Sequence, residues 1–259
     1  MNCFISSIHY YPVKSLSFSS VQKSIIKKDF GIIYDRIFSF TRNINYKKAK
    51  LIEKFPKERK LNYFLTLKNS PVLNKYKFHY DKNELKLNQD NIMILSISTE
   101  DENKFYIYCK KLIELEKSLS KSLYLLKNEK YPFFDTTHSS KISNTISLIN
   151  LNSIKDLEKK INKVIEPSRF RGNLYISDID AWEERNWINS IIRINKIHFK
   201  VVKHIARCSA TNLQPNSDNI TINLPRAIKK HYNHIDMGVY LSPLDDGEIN
   251  IGDNIYLNE

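Results

Sequence analysis

The chain has 259 residues, 41% hydrophobic and 12% aromatic, enough to bury a sizeable core in one large domain or two small ones. No apolar run approaches the roughly 18 residues that span a membrane. The N-terminus, where His9, Tyr10, Tyr11, Pro12 and Lys14 break up any apolar region, does not read as a signal peptide, so a cytoplasmic location is expected.

In chain order, residues 2 to 42 read as strands. Cys3-Phe4-Ile5 leads to Ile8, and further strands run over Val21 to Ile26 and Ile37 to Phe40, with a turn at Gly31. Lys47 to Lys60 (KKAKLIEKFPKERK) is the densest patch of a chain with net charge +13, and it reads as a mobile basic loop. Residues 62 to 67, 76 to 80 and 84 to 87 continue the strand pattern, with a hairpin turn at Asp81-Lys82-Asn83. From Glu102 to Leu119 the period lengthens: Phe105, Tyr108, Leu112, Leu115 and Leu119 mark an amphipathic helix, with Cys109 beside the stripe in a packing role. A polar stretch containing Pro132 and Asp135 to Ser139 suggests a domain boundary.

The second half opens with a strand at Ile146 to Ile149. A helix capped by Ser153 is expected to run to about Val164. Strand Leu174 to Ile176, a short helix near Trp182 to Ile188, and strands at 191 to 194 and 197 to 202 follow. A helix around Leu224 to His231 and strands at Val239-Tyr240 and Ile249 to Tyr256 close the chain. Many short strands with few helices predict a mainly β, α+β fold: a barrel-like β architecture with helical decorations.

Three cysteines without a CxxC pair argue against a disulfide framework, a zinc ribbon or an iron–sulfur cluster, so a chemical cysteine acts alone. Cys208, in KHIARCSATNLQP, follows a strand and opens a polar loop; Lys203, His204 and Arg207 are the kind of neighbours that favour a thiolate. In Arg169-Phe170-Arg171-Gly172-Asn173, strand alternation would aim Arg169, Arg171 and Asn173 one way, a pattern suited to phosphate. Tyr11-Pro12-Val13-Lys14-Ser15 and Asp35-Arg36 add an ammonium, a hydroxyl and a guanidinium. Taken singly, each cluster also fits an inert cysteine, a solvated strand edge or a plain turn.

Their order is what adds information. YPVKSL, DR-x-F, SLINLNS, RFRGN, AWEERNW, RC, GVY and a terminal GD together resemble the MOSC family with its N-terminal β-barrel partner domain, as in bacterial MOSC proteins and the mitochondrial amidoxime-reducing component. The resemblance implies an N-terminal MOSC-associated β domain over 1–130 and a MOSC β-barrel domain over 131–259. It implies a molybdenum cofactor, with molybdopterin, whose metal is completed by the Cys208 thiolate. Lys14, Ser15 and Arg36 match cofactor-holding positions, as do Arg171 and Asn173. Asn150, Arg169, Arg207, Ser209 and Thr211 are expected nearby. Pyridoxal phosphate binding is a further family-level association. The implied activity is an oxidoreductase that reduces N-hydroxylated substrates such as amidoximes and hydroxylamines. No ferredoxin domain follows residue 259 and no nicotinamide or flavin fingerprint exists, so a separate ferredoxin- or cytochrome-type donor is expected, docking on Lys47 to Lys60. His204 is the nearest candidate acid, and Asp236 matches an acidic family position without an assigned role. Gln214-Pro215-Asn216-Ser217-Asp218, Gly172 and Asn233-His234 depart from the family pattern on the expected substrate side. A cofactor or sulfur carrier without turnover, and a basic nucleic-acid-binding module, are the alternatives.

Overall fold

Alternation along the strands of the second half sorts side chains to two faces of one sheet. Leu148, Leu174, Ile176, Val239 and Leu241 face one core together with Ile5, Ile8 and Phe199. Their neighbours Ile149, Tyr175 and Met237 face a second core, which is closed by Ile154, Leu157, Leu224 and Ile228 from two helices. The computed structural model describes residues 3–119, 121–134 and 145–257. Its eight-stranded sheet runs, in spatial order, Ile255–Leu257, Ile191–Ile194, Ile197–Ala206, Asp236–Pro243, Ile146–Asn150, Leu174–Ser177, Phe4–Tyr10 and Ser19–Val21. The fold is mainly β with helical additions, as expected.

This sheet takes strands from both sides of residue 130: Phe4–Tyr10 pairs antiparallel with Leu174–Ser177, Ile8 opposite Leu174. The polar boundary stretch Asp135 to Ser139 lies outside the described residues. Ile146–Asn150 and Leu174–Ser177 are parallel, which requires a crossover, and the helix Leu151–Ile161 between them supplies it. Smaller sheets comprise Gly247–Asn250, Lys23–Lys27 and Gly31–Ile32; Phe38–Phe40 with Leu125–Lys127; and Tyr76–Asp81, Glu84–Gln89 and Ile92–Ser98.

Four α-helices occur among the described residues: α1 Tyr46–Lys54, α2 Phe105–Leu115, α3 Leu151–Ile161 and α4 Leu224–Tyr232. The expected basic loop is therefore a helix in its first half. Asn45 caps α1 by accepting from the Lys48 amide, and Ala49 and Ile52 are fully buried; its lysines hid that short apolar stripe. Asn150, rather than Ser153, caps α3, because its extended backbone at the strand end lets its side chain accept from the Asn152 amide. Left-handed Asn162 ends α3, so Val164 lies beyond it and is exposed. Residues 62 to 67 do not form a strand. Leu61–Tyr63 is a 3₁₀ turn, and Phe64, Leu65 and Leu67 are buried in an irregular wall.

Val21 to Ile26 and Ile249 to Tyr256 each split into two strands. The hairpin at Lys82-Asn83 holds, both residues being left-handed as a tight two-residue turn requires. A third core, around Phe38, Phe40, Phe78, Tyr108 and Leu112, takes in Val13, Leu16 and Leu213. The turns carrying Lys14 and Cys208 are thereby anchored on the same apolar cluster.

Candidate functional site

Cys208 sits just past the long strand Ile197–Ala206 and heads the 3₁₀ turn Ser209–Asn212. The Thr211 amide and Oγ1 both donate to the Cys208 carbonyl, at 3.1 and 2.8 Å, which fixes the turn. The next residue, Asn212, accepts from Leu224 N of α4 at 3.0 Å through Oδ1 and from Arg169 at 3.0 Å through its carbonyl. Cys3 and Cys109 are buried, and burial pushes each thiol up to about 12, so both stay protonated and inert at neutral pH. Cys208 is the solvent-exposed one of the three.

The thiol opens into a cleft of about 660 Å³. Ser15, Arg36, Arg171, Arg207 and Thr211 line it with Cys208, so six of the expected residues converge. Arg42, Asn62, Thr66, Lys68 and Asn69 form part of its lining as well, and sequence reasoning missed all five. Reading residues 62 to 67 as a strand obscured Asn62 and Thr66, and no motif marks Arg42, Lys68 or Asn69. Among the described residues, five cations line the cleft and no carboxylate does.

Arg36 and Arg171 lie 5.0 and 4.5 Å from the ring of buried Tyr11, so the two guanidiniums share one aromatic platform. Burial holds the Tyr11 phenol well above its ordinary range, and its hydroxyl donates to the Gly172 carbonyl at 3.1 Å. Ser15, Arg36 and Arg171 all adopt left-handed backbone, φ 61°, 57° and 52°, a conformation that non-glycine residues hold at a cost of about 1 kcal/mol each.

Beneath them lies Asp35. Its Oδ1 accepts from the Tyr11 amide at 2.7 Å, and its Oδ2 accepts from Asn173 Nδ2 at 3.2 Å and from the Arg36 guanidinium. Burial pushes this carboxyl above its ordinary 3.8, opposed by Arg36 first and by the two N–H donors after it. Asn173 also accepts from Ser147 N and Ser147 Oγ and donates to the His9 carbonyl. With its amide so engaged, it positions the Asp35–Arg36 pair and does not line the cleft.

The other expected residues are placed differently. Pro167–Phe170 is a 3₁₀ turn and Arg171 is left-handed, so strand alternation does not apply there. Arg169 is buried, pairs with Glu166 at 2.6 Å and donates to Thr221 at 2.8 Å, away from the cleft. Asn150 caps α3 and donates to Glu184 at 3.0 Å. Ser209 is exposed, and Lys14 is buried with its ammonium 5.8 Å from the Phe64 ring; neither lines the cleft. Arg207 donates to the Phe170 carbonyl at 2.7 Å and to the Met237 carbonyl, clamping two segments of the cleft wall together; burial lowers its pKa. His204 contacts the Arg185 carbonyl at 3.2 Å, and Asp236 pairs with Arg185 at 3.2 Å; both lie outside the cleft.

The family model of the MOSC domain matches residues 135–256. The chain is 26% identical over 117 residues to human mitochondrial amidoxime-reducing component 1, 40% of this chain and 34% of the relative. It is 28% identical over 123 residues to rat mitochondrial amidoxime reducing component 2, 43% of this chain and 36% of the relative. With the bovine component 2 it shares 22% identity over 160 residues, 56% of this chain and 46% of the relative. The chain thus spans between a third and a half of these relatives' lengths. Among solved structures, the YUAD protein from Bacillus subtilis covers 98% of this chain and 94% of its own at 11% identity and TM-score 0.46. YiiM from Geobacillus stearothermophilus covers 44% and 54% at 18% identity and TM-score 0.36.

Removing the Arg36 guanidinium leaves Asp35 buried without its main counter-charge. In Arg36→Met, the stability tied to protonated Asp35 is present below the ordinary carboxylate pKa and is lost as pH rises through the raised folded value. Denaturant titration should show a loss of roughly 3 kcal/mol near pH 8 and a clearly smaller one near pH 4. A loss independent of pH would contradict the pairing.

Proposed function

Because the MOSC domain model matches residues 135–256, we propose that this chain holds a molybdenum cofactor through the Cys208 thiolate and reduces N-hydroxylated substrates there. The observation that carries this reading is the exposed thiol in a cleft that, among the described residues, is lined by cations and by no carboxylate. Cys208 is the sole soft ligand among the described lining residues, so a metal seated there would take one bond from these residues and its remaining ligands from its own cofactor. The cleft volume falls within the range of small-molecule and cofactor sites, roughly 300–1,000 Å³. Arg36 and Arg171, on one aromatic platform, suit a phosphate, and Ser15 adds a hydroxyl. The residues present therefore fit molybdopterin, a dithiolene-bearing phosphate ester. Pyridoxal phosphate would use the same cations but leaves Cys208 without a part.

When bound, the cofactor supplies the two-electron redox chemistry that removes oxygen from an N–O bond. The protein's part is to fix and orient. The Thr211 hydroxyl holds the Cys208 carbonyl, Arg207 ties the Phe170 and Met237 segments together, and Asp35 with Asn173 sets the Arg36 guanidinium. The names of the relatives, amidoxime-reducing components, favour N-reduction over a carrier without turnover. Among the described residues no helix is long and apolar enough to cross a membrane.

A separate acidic donor protein completes the reading. The stretch Lys47 to Lys60 is less suited to receive it than its composition suggested: Lys48 pairs with Glu58, Lys50 with Glu53 and Glu102, and Arg59 is buried. The outer faces of α3 and α4, with the residues just after α3, offer more free charge. Lys155, Lys159, Lys160, Lys163, Arg226 and Lys230 are exposed and have no ion-pair partner among the described residues. The first turn of α4 rests on the Cys208 turn through Asn212, so a donor on this face sits beside the cleft.

Purified protein should contain molybdenum near one equivalent, and Cys208→Ser should lose it while keeping its melting temperature. Retention of metal by the folded variant would refute the ligand assignment. Amidoxime reduction driven by an acidic protein donor should fall steeply with ionic strength, whereas reduction driven by a small dye should not. Equal salt dependence would remove the docking face. Salt-dependent RNA binding by metal-free protein would instead favour the nucleic-acid reading.

A further inference from the structure

The charges of the cleft are not evenly committed. Arg36 and Arg171, on the shared Tyr11 ring, match the roughly two negative charges of a phosphate monoester, and Arg207 is committed to the Phe170 and Met237 carbonyls. Arg42 and Lys68 remain, and among the described residues neither has an ion-pair partner. Both belong to the N-terminal wall of the cleft, whereas Cys208, Arg171 and Arg207 come from the C-terminal sheet side.

That wall is braced. The Arg42 amide donates to the Tyr63 carbonyl at 2.8 Å, and Leu65 N donates to the Phe40 carbonyl at 2.9 Å. Asn69 closes the Thr66–Ser70 turn: its Oδ1 accepts from Thr66 N at 2.9 Å, and its Nδ2 donates to the Phe64 carbonyl at 3.0 Å. Lys68 stands on this turn, exposed, while buried Leu65 and Leu67 anchor it in the apolar core. Two cations on a fixed wall of the cleft that also holds the thiol form a recognition surface for an anion other than the phosphate.

We propose that Arg42 and Lys68 bind a carboxylate of the substrate, so that the substrates taken by this cleft are N-hydroxylated compounds bearing a carboxylate. This rests on the reading of the cleft as a reductase site. The same two cations could instead serve an anionic group of the cofactor, and the test separates the two sources.

The experiment uses the molybdenum-loaded protein and two non-reacting probes, benzoate and benzamide, titrated calorimetrically, alongside turnover of 4-carboxybenzamidoxime and benzamidoxime. Benzoate should bind about tenfold more tightly than benzamide, and the carboxylated amidoxime should show the higher kcat/KM through a lower KM. In Arg42→Gln/Lys68→Gln both preferences should fall toward one with the molybdenum content retained. Lys68→Glu alone, on an exposed turn, should reverse the benzoate preference and guards against misfolding of the double variant. Equal binding of the two probes, or a preference unchanged in the variants, would overturn the proposal. So would loss of molybdenum from the double variant, which would assign the wall to the cofactor. A benzoate preference that depends on the two residues, in protein that reduces neither amidoxime, would uphold the anion site and refute the reductase reading.

Discussion

One buried carboxylate holds the candidate site together. Asp35 receives the Tyr11 amide, the Asn173 side chain and the Arg36 guanidinium, joining three segments distant in sequence. Tyr11 opens the turn that leads to Lys14 and Ser15, and Asn173 precedes a strand of the large sheet. A carboxylate without these donors could not stay ionised in so buried a place; with them it fixes a cation at the edge of the cleft. The rest of the arrangement follows from that fixed edge. Arg36 and Arg171 meet on Tyr11, and the long strand Ile197–Ala206 delivers Cys208 to the same cleft.

The cleft is accordingly stiff where charge is handled. Left-handed backbone at Ser15, Arg36 and Arg171 is unfavourable and persists only where surrounding contacts over-determine it. Here those contacts are the Asp35 network, the Tyr11 ring and the Arg207 clamp on two carbonyls. Gly238 is required for a related reason. At φ +81°, a Cβ there would lie 2.2 Å from the Leu148 carbonyl oxygen, so the strand that meets the Arg207 clamp at Met237 can approach its neighbour only with glycine.

Much of this was legible in the sequence because strand alternation, helix period and ordered motifs are local signals. Cys208, Arg36 and Arg171 were found by motif, and they meet in the cleft. What escaped was set by tertiary contacts. Arg169 was expected beside Arg171, but a 3₁₀ turn rotated it onto Glu166 and Asn212. Asn173 was expected to touch the ligand, yet its hydrogen-bonding capacity is spent on Asp35 and Ser147. Arg42 and Lys68 had no motif to mark them; the irregular wall of residues 61 to 69 brings Lys68 to the cleft, and the Arg42 amide joins that wall at the Tyr63 carbonyl. Asn45 and Asn150 each cap a helix where composition pointed to a loop or to a later start.

The central claim is that a molybdenum cofactor sits in this cleft with its metal on Cys208. Anomalous diffraction at the molybdenum absorption edge, from crystals of the purified loaded protein, tests it directly. The account predicts one anomalous peak within bonding distance of the Cys208 sulfur, with phosphate density between Arg36 and Arg171. A molybdenum peak elsewhere on the protein, or one in the cleft that Cys208 does not touch, would contradict it.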